Sequence, residues 1–247
     1  MRLAHARGAG TGPGVVGQTQ AMAGGNVRPA AGGGRWVDVD PERLPAWLNR
    51  FAVNHGGYRV AGADEAGRVE APLRIEAGDG TTLGLWPPPG ATVRPDLEQF
   101  IDEALQPRRI GLLLARQASV AVGIAEGPCL IESKVDTYYV QSRTAAGGWS
   151  QQRYARRRVN QARAAAESAA DQAVRMLITE AGRLAAVVMG GDRRTVEAIL
   201  ADPRLAPLRP LVADRFLAVG EPRRRTLDEA ARLARQVRIL VRDPDCT

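Results

Sequence analysis

Between Arg153 and Glu180, small apolar residues recur at helical spacing: Ala162, Ala166, Ala169, Ala173 and Leu177 form one stripe. Side chains that small bury useful area only if the helix lies close on a flat partner, so the chain must supply a sheet beneath it. Composition points the same way. Aromatics make up 4% of the residues and hydrophobic residues 45%, so Val, Leu, Ile and Ala must fill the core, which favours helix-on-sheet packing over bulky sandwich cores. With 247 residues and 25% charged, the chain fits one large domain or two small ones. No apolar run approaches the roughly 20 residues of a membrane span, so no membrane partner is expected.

Residues 1–34 are rich in Gly and Ala and poor in large apolar side chains, so they are expected to be disordered. Met22, which opens Met-Ala-Gly-Gly, is a possible initiator within this tail. From Arg35 the pattern changes. Asp40-Pro41 supplies an N-cap and a first-turn proline, and Leu44, Trp47, Leu48 and Phe51 share one helical face up to about Asn54. His55-Gly56-Gly57 ends that helix. Tyr58–Val60, Val69–Ile75 and Thr81–Trp86 read as short strands, with Gly78-Asp79-Gly80 as a hairpin turn. Residues 35–95 are therefore expected to be a small helix-plus-antiparallel-sheet domain, closed by the rigid Pro87-Pro88-Pro89-Gly90.

The region 96–247 opens with a short helix carrying Leu97, Phe100, Ile101 and Leu105. Ile110–Ala115, Ser119–Ala125, Cys129–Val135 and Thr137–Arg143 then read as four strands of an antiparallel meander. After the long helix, Leu184–Met189, Thr195–Leu200, Phe216–Val219, Leu227–Val237 and Val237–Val241 alternate as strand, helix, strand, helix and strand, which predicts an α/β sheet in this half. Gly190-Gly191 lacks the spacing of a phosphate-binding motif and reads as a strand-to-helix turn.

The formal charge is +7, and Lys134 is the one lysine among 34 basic residues. From Gln141 to Arg163 there are Arg143, Arg153, Arg156, Arg157, Arg158 and Arg163 and no acidic residue. Unopposed charge of one sign repels itself unless a polyanion is sometimes present, so nucleic acid is the expected partner over a merely solvated helix face. The two cysteines, Cys129 and Cys246, are far apart and form no metal-binding pair, consistent with a reduced, cytoplasmic protein. His5 and His55 are the only histidines, too few for a zinc cluster or a Ser-His-Asp triad, and His55 reads as a helix-terminal residue. No cofactor is expected. Glu126, Glu132 and Asp136 have no spacing that assembles a two-metal nuclease site.

The stretch Arg143-Thr-Ala-Ala-Gly147-Gly148-Trp149-Ser150-Gln151-Gln152-Arg153-Tyr154-Ala155-Arg156 is poor chemistry for stability. Its glycines cost backbone entropy, and a surface tryptophan costs hydration. Glycines let backbone N–H groups approach a reacting centre, and a glutamine amide can donate to an oxyanion while accepting from water. Residue types alone leave this reading level with a flexible hairpin whose tryptophan folds back on the core. Ser150 as a nucleophile lacks the second glycine of a nucleophile elbow and a histidine partner.

From Ile110 onward the chain resembles the middle domain of the eukaryotic and archaeal class-one peptide release factors, and especially its Vms-like branch with its actinobacterial group of peptidyl-tRNA hydrolases. The parts that carry the likeness are Gly111–Leu114, the strands leading to Gly147-Gly148, the helix start Arg153-Tyr154-Ala155-Arg156, and the strand end Ala186–Gly191. Release factors proper have Gly-Gly-Gln. Here Trp149 follows the glycine pair and the glutamine arrives as Ser150-Gln151, similar to the Gly-x-Ser-Gln pattern of the Vms-like branch.

The resemblance implies a mixed α/β sheet with a long Arg/Ala-rich helix, and a loop that enters the peptidyl-transferase centre of the large ribosomal subunit to cleave peptidyl-tRNA. Gln151, or Gln152 beside it, would promote attack of water on the ester. Gly147 and Gly148 would let the loop fit, and Ser150 would orient its neighbour. Arg143, Arg153, Arg156, Arg157, Arg158 and Arg163 would hold ribosomal RNA or the tRNA acceptor stem through phosphates, and Trp149 would stack on a terminal base. Tyr154 would anchor the helix start. No segment matches a stop-codon-reading domain, so rescue of stalled or split ribosomes is expected over codon-directed termination. The competing class is a non-enzymatic RNA-binding module.

Overall fold

The structure, a computed structural model, describes residues 26–61, 71–116, 119–137 and 150–244, with backbone alone at residues 26, 150–159 and 162. In chain order the elements are β1 (Asn26–Pro29), β2 (Arg35–Val39), a 3-10 turn leading into α1 (Leu44–Asn54), β3 (Tyr58–Ala61), β4 (Leu73–Ala77), β5 (Thr82–Trp86) and α2 (Leu97–Leu105). Then come β6 (Arg109–Arg116), β7 (Ser119–Glu126), β8 (Cys129–Thr137) and α3 (Ser150–Ala173), which a π-helical turn extends to Ile178. The chain continues through β9 (Ala186–Gly191), α4 (Arg193–Leu200), a 3-10 stretch Pro203–Leu211, β10 (Val212–Leu217), α5 (Arg224–Ala234) and β11 (Val237–Arg242).

These strands make a mixed α/β fold of two sheets. The first is antiparallel throughout, in the order β1-β2-β11-β5-β4-β3. Its core face carries Val37, Val39, Ile75, Leu83, Leu85, Val237, Ile239 and Val241, against which α1 lays Leu44, Trp47, Leu48 and Phe51 and α2 lays Phe100 and Ala104. Trp47 and Phe51 stack, as do Phe51 and His55. His55 thus ends α1 as a packing and hydrogen-bonding residue, its Nδ1 2.7 Å from Asp79 Oδ2 in the β4–β5 turn.

The second sheet runs β10-β9-β6-β7-β8, with β10, β9 and β6 parallel and β6, β7 and β8 an antiparallel meander. Both faces are covered. Ala169, Ala170, Ala173, Met176 and Leu177 of the long helix, with Val196 and Ile199 of α4, bury one face. Leu227, Ala230, Ala231 and Ala234 of α5 bury the other. That double cover is why β6 reads as the continuous apolar run Ile110–Ala115 rather than an alternating one. Gly111 lies under the helix, where an added Cβ would come within 3.1 Å of Leu177 Cδ2.

Three sequence expectations change. The sequence pattern makes Val237–Val241 the last strand of the C-terminal α/β sheet, but β11 lies in the first sheet between β2 and β5. Its alternation explains the choice: Val237, Ile239 and Val241 point into the α1/α2 core while Arg238 and Arg242 take the other face. The sheet begun by residues 35–95 is therefore completed by the far end of the chain. Second, the segment 1–34, expected to be disordered, includes β1, paired antiparallel with β2 from Asn26↔Asp38 to Pro29↔Arg35. Third, Thr137 closes β8 instead of opening a fourth strand, and the remainder of Thr137–Arg143 lies outside the described residues. Asp40 flanks the 3-10 turn without a side-chain cap, and its Oδ1 instead accepts from Gln236 Nε2 at 2.7 Å, tying β2 to the α5–β11 junction.

Candidate functional site

The register of the second sheet brings several strand ends to one edge. Ala115 pairs with Gly191, Gly190 with Leu217, and Ser119 with Thr137. The parallel strands β6, β9 and β10 therefore finish where β8 finishes, and ligands of open α/β sheets bind outside the carboxyl ends of such strands. Thr137, the last described residue before Ser150, stands at this edge. Arg143, Gly147, Gly148 and Trp149 fall between the two and lie outside the described residues.

The backbone places Ser150, Gln151 and Gln152 in the first turn of α3. Leu177 packs over Gly111 near the start of β6, so the helix runs back along the sheet, antiparallel to β6. From Ser150 to Leu177 it rises about 40 Å at 1.5 Å per residue, whereas β6 advances only about 17 Å from Gly111 to Arg116. Its N-terminal turns accordingly project on the order of 20 Å past the strand ends. Side-chain burial agrees: Asn160, Arg163 and Ala164 are exposed, Ala166 is half-buried, and full burial begins at Ala169. The helix is a stalk whose base is packed and whose tip carries the serine and glutamines.

At 100° per residue, the α-carbons of Arg153, Arg156, Arg157 and Arg163 occupy one arc of about 120°, turned away from the alanine stripe, with Arg158 closer to that stripe. The side chains of Arg153, Tyr154, Arg156, Arg157 and Arg158 lie outside the described residues. Arg163 is the exception, and its Nε donates to Glu167 Oε1 at 2.9 Å, with both side chains mostly exposed. The acid-free stretch therefore ends in an i,i+4 ion pair that partly neutralises its last arginine.

The floor beneath the stalk was not identified from sequence. Gly191, at φ 97°, completes β9 against Ala115, whose carbonyl oxygen would lie 2.2 Å from an added Cβ. Asp192 then caps α4, its Oδ1 accepting from the Thr195 amide and hydroxyl, each at 2.8 Å. These hydrogen bonds hold the Asp192 carboxyl below its usual range, with Arg194 and Arg116 adding smaller contributions. Gly190 and Gly191, expected to form a strand-to-helix turn, are thus the last residues of β9, and the chain turns into α4 at Asp192.

Across the edge, the buried Ser119 hydroxyl donates to Glu221 Oε1 at 3.4 Å, and Glu221 Oε2 accepts from Arg223 at 2.6 Å. Arg223 chiefly lowers the Glu221 carboxyl, with Ser119 and Arg116 contributing less. Arg116 donates to the Val219 carbonyl at 3.4 Å, and Arg193 lies 4.3 Å over the Phe216 ring. Arg116, Arg193, Arg194 and Arg223 thus surround two ionised carboxylates with a basic rim. Among the described residues no group of His, Cys, Asp and Glu could hold a metal ion, and no helix is long and apolar enough to cross a membrane.

Residues 108–240 match the profile of the Actinobacteria/chloroflexi VLRF1 release factor family, a span that contains the second sheet and the stalk helix. No curated protein matches the chain at a significant level. Similar solved structures include the archaeal translation termination factor aRF1, at 14% identity and TM-score 0.37, covering 65% of this chain and 51% of that one. An archaeal protein gives 13% identity and TM-score 0.33, covering 63% and 48%. Dom34 of S. cerevisiae, a translation termination-like factor involved in RNA quality control pathways and interacting with Hbs1, gives 7% identity and TM-score 0.30, covering 83% and 65%. The chain spans about half the length of the two archaeal proteins.

Proposed function

The chain belongs to the Actinobacteria/chloroflexi VLRF1 release factor family, and on that premise we propose that it is a peptidyl-tRNA hydrolase of cytoplasmic translation, freeing nascent chains on stalled or split ribosomes. The observation that carries the proposal is Ser150-Gln151 in the first turn of a helix that becomes fully buried only from Ala169. A packed base with a projecting tip suits a narrow, RNA-walled centre that a broad active-site cleft would not enter. Large-subunit RNA and the tRNA acceptor stem are the partners, held through phosphates by Arg143, Arg153, Arg156, Arg157, Arg158 and, more weakly, Arg163.

In this reading water attacks the ester carbonyl carbon, the bond to the tRNA ribose oxygen breaks, the peptide leaves as a carboxylic acid, and the ribose 3′-oxygen takes up a proton. The Gln151 amide oxygen accepts from the attacking water while its NH2 donates to the oxygen that gains charge. The amide does not titrate, so this step needs no histidine and no metal ligand set from the chain. Gly147 and Gly148 admit the backbone to the ester, Ser150 orients Gln151, and Trp149 stacks on a terminal base.

The test is release of labelled peptide from purified peptidyl-tRNA and from stalled large-subunit complexes, with the parent chain beside Gln151→Ala and Gln152→Ala. Loss of release in Gln151→Ala with RNA binding intact is expected. Undiminished release would remove Gln151 from this role, and binding without release by the parent chain would favour an RNA-binding module.

A further inference from the structure

The second face of the first sheet, away from the α1/α2 core, gathers an unusual set of side chains. Arg238 of β11 lies in register between Asp38 of β2 and Trp86 of β5, and Trp36 stands two residues from Asp38 on the same face. Strand β10 of the second sheet and the Pro87–Gly90 corner approach this face and leave an open cleft of about 400 Å3, lined by Trp36, Trp86, Asp214, Arg215 and Arg238 among others. That volume lies within the range of about 300–1,000 Å3 typical of small-ligand sites.

The charges behind the cleft do not balance. Asp38 is almost fully buried and has Arg28 and Arg215 each 3.2 Å away, with Arg238 at 3.9 Å. Three guanidiniums thus converge on one buried carboxylate behind the cleft, and Asp214 is the one carboxylate lining the cleft among the described residues. Burial pushes the Arg215 guanidinium down to about 10; Asp38 opposes this, while Arg238 and Arg28 add to it. The Nε of Arg238 and Asp38 Oδ1, 3.9 Å apart, are both buried without a hydrogen-bond partner among the described residues. An anion in the cleft would supply the missing negative charge.

The aromatic lining narrows the kind of anion. The Trp36 and Trp86 rings lie 5.0 Å apart and tilted at 59°, and the Arg238 guanidinium sits 4.9 Å over Trp36. Indoles and a stacked guanidinium offer flat faces to a planar ring, and guanidinium edges pair with phosphate oxygens. The exposed carboxylate of Asp214 is an acceptor of the kind that sugar hydroxyls or an exocyclic amine require. We propose that this cleft binds a nucleoside 5′-phosphate unit, its phosphate on Arg238 with the charge of Arg215 behind it, and its base against the tryptophans. The site shares no residue with the Ser150-Gln151 tip and does not depend on that reading.

The experiment is quenching of tryptophan emission in the full chain, titrated with adenosine and guanosine 5′-monophosphates, a short oligoribonucleotide, adenosine, and inorganic phosphate. Saturable quenching by the monophosphates is expected, with adenosine and phosphate at least ten-fold weaker. Arg238→Gln and Trp86→Leu should each weaken binding ten-fold or more, measured by calorimetry on variants whose melting stays cooperative. Asp214→Asn, at the rim, gives a second readout without touching the buried charges, and should weaken binding several-fold. Oligoribonucleotide binding ten-fold tighter than the monophosphates would assign the unit to an RNA strand, and equal binding would assign it to a free nucleotide. Either supports the site. No saturable binding by any nucleotide, phosphate alone binding as tightly as a monophosphate, or variants binding like the parent would overturn it.

Discussion

Arg215 of β10 meets Asp38 of β2 where the two sheets join, Nη2 to Oδ1 at 3.2 Å, with side chains only 8% and 5% exposed. The same guanidinium donates through Nη1 to the Gln236 carbonyl at 2.6 Å, just before β11 enters the first sheet. One residue of the second sheet therefore holds two segments of the first. Removing one partner of a buried pair leaves an uncompensated charge, at a cost of about 3–5 kcal/mol. Asp38→Ala, which takes the carboxylate from Arg215, Arg28 and Arg238 together, is expected to lower stability by that order, Arg215→Ala by less because Arg28 and Arg238 still face Asp38, and the double variant by clearly less than the sum. Urea unfolding of the three variants checks this, and additive losses would show that the pair is not coupled.

The β4–β5 turn carries a pH-dependent contribution of known sign. Asp79 Oδ1 accepts from the Thr81 amide at 2.9 Å and Oδ2 pairs with His55 Nδ1 at 2.7 Å. Together, the Thr81 amide first and His55 second, they lower the Asp79 carboxyl to about 2. Because the folded value lies below the ordinary one of 3.8, the unfolded chain takes up the proton first, and the stabilisation is complete above about pH 4 and lost as pH falls toward 2. Asp79→Asn should therefore melt below the parent at pH 6, with the gap closing by pH 2. Thermal melts across that range decide it, and a gap that stays constant would remove the carboxylate from the turn's stability.

The turn was legible in Gly78-Asp79-Gly80, and so were α1, α2, β6, β7 and the stalk helix, because each is dictated by local periodicity and turn chemistry. Placement of β11 was not, since a strand's partners are chosen by tertiary contacts; only the alternation Val237-Arg238-Ile239 hinted at a half-buried antiparallel sheet. Strand β1 left still less signal, for Val27 is its one large apolar side chain and that is exposed, so backbone pairing with β2 holds it. At the candidate site, Ser150-Gln151 was readable as a candidate pair from residue order, but residue types start the helix only at Arg153, whereas α3 begins at Ser150. The rim of Arg116, Asp192, Arg193 and Glu221 was not, because parallel strand pairing assembles it from segments about a hundred residues apart.

The paired state of Arg163 separates it from the other arginines of the stalk. Its guanidinium already has Glu167 one turn away, whereas residues 141–162 contain no acid to oppose Arg153, Arg156 and Arg157. An exposed i,i+4 pair contributes only about 0.3–0.5 kcal/mol, so Glu167 does not forbid a phosphate contact but does compete with it. Each phosphate neutralised on single-stranded RNA contributes about 0.7 to the slope of log affinity against log salt. Replacing Arg153, Arg156 and Arg157 together by Gln should flatten that slope by about 2 and weaken tRNA or large-subunit binding uniformly across sequences. Arg163→Gln alone should change the slope by less than one contact's worth, and Glu167→Gln should slightly strengthen binding at low salt by freeing Arg163. Filter binding from 50 to 300 mM salt reads all three, and an Arg163→Gln effect equal to that of the triple variant would place the RNA at the packed base of the stalk instead of along its projecting half.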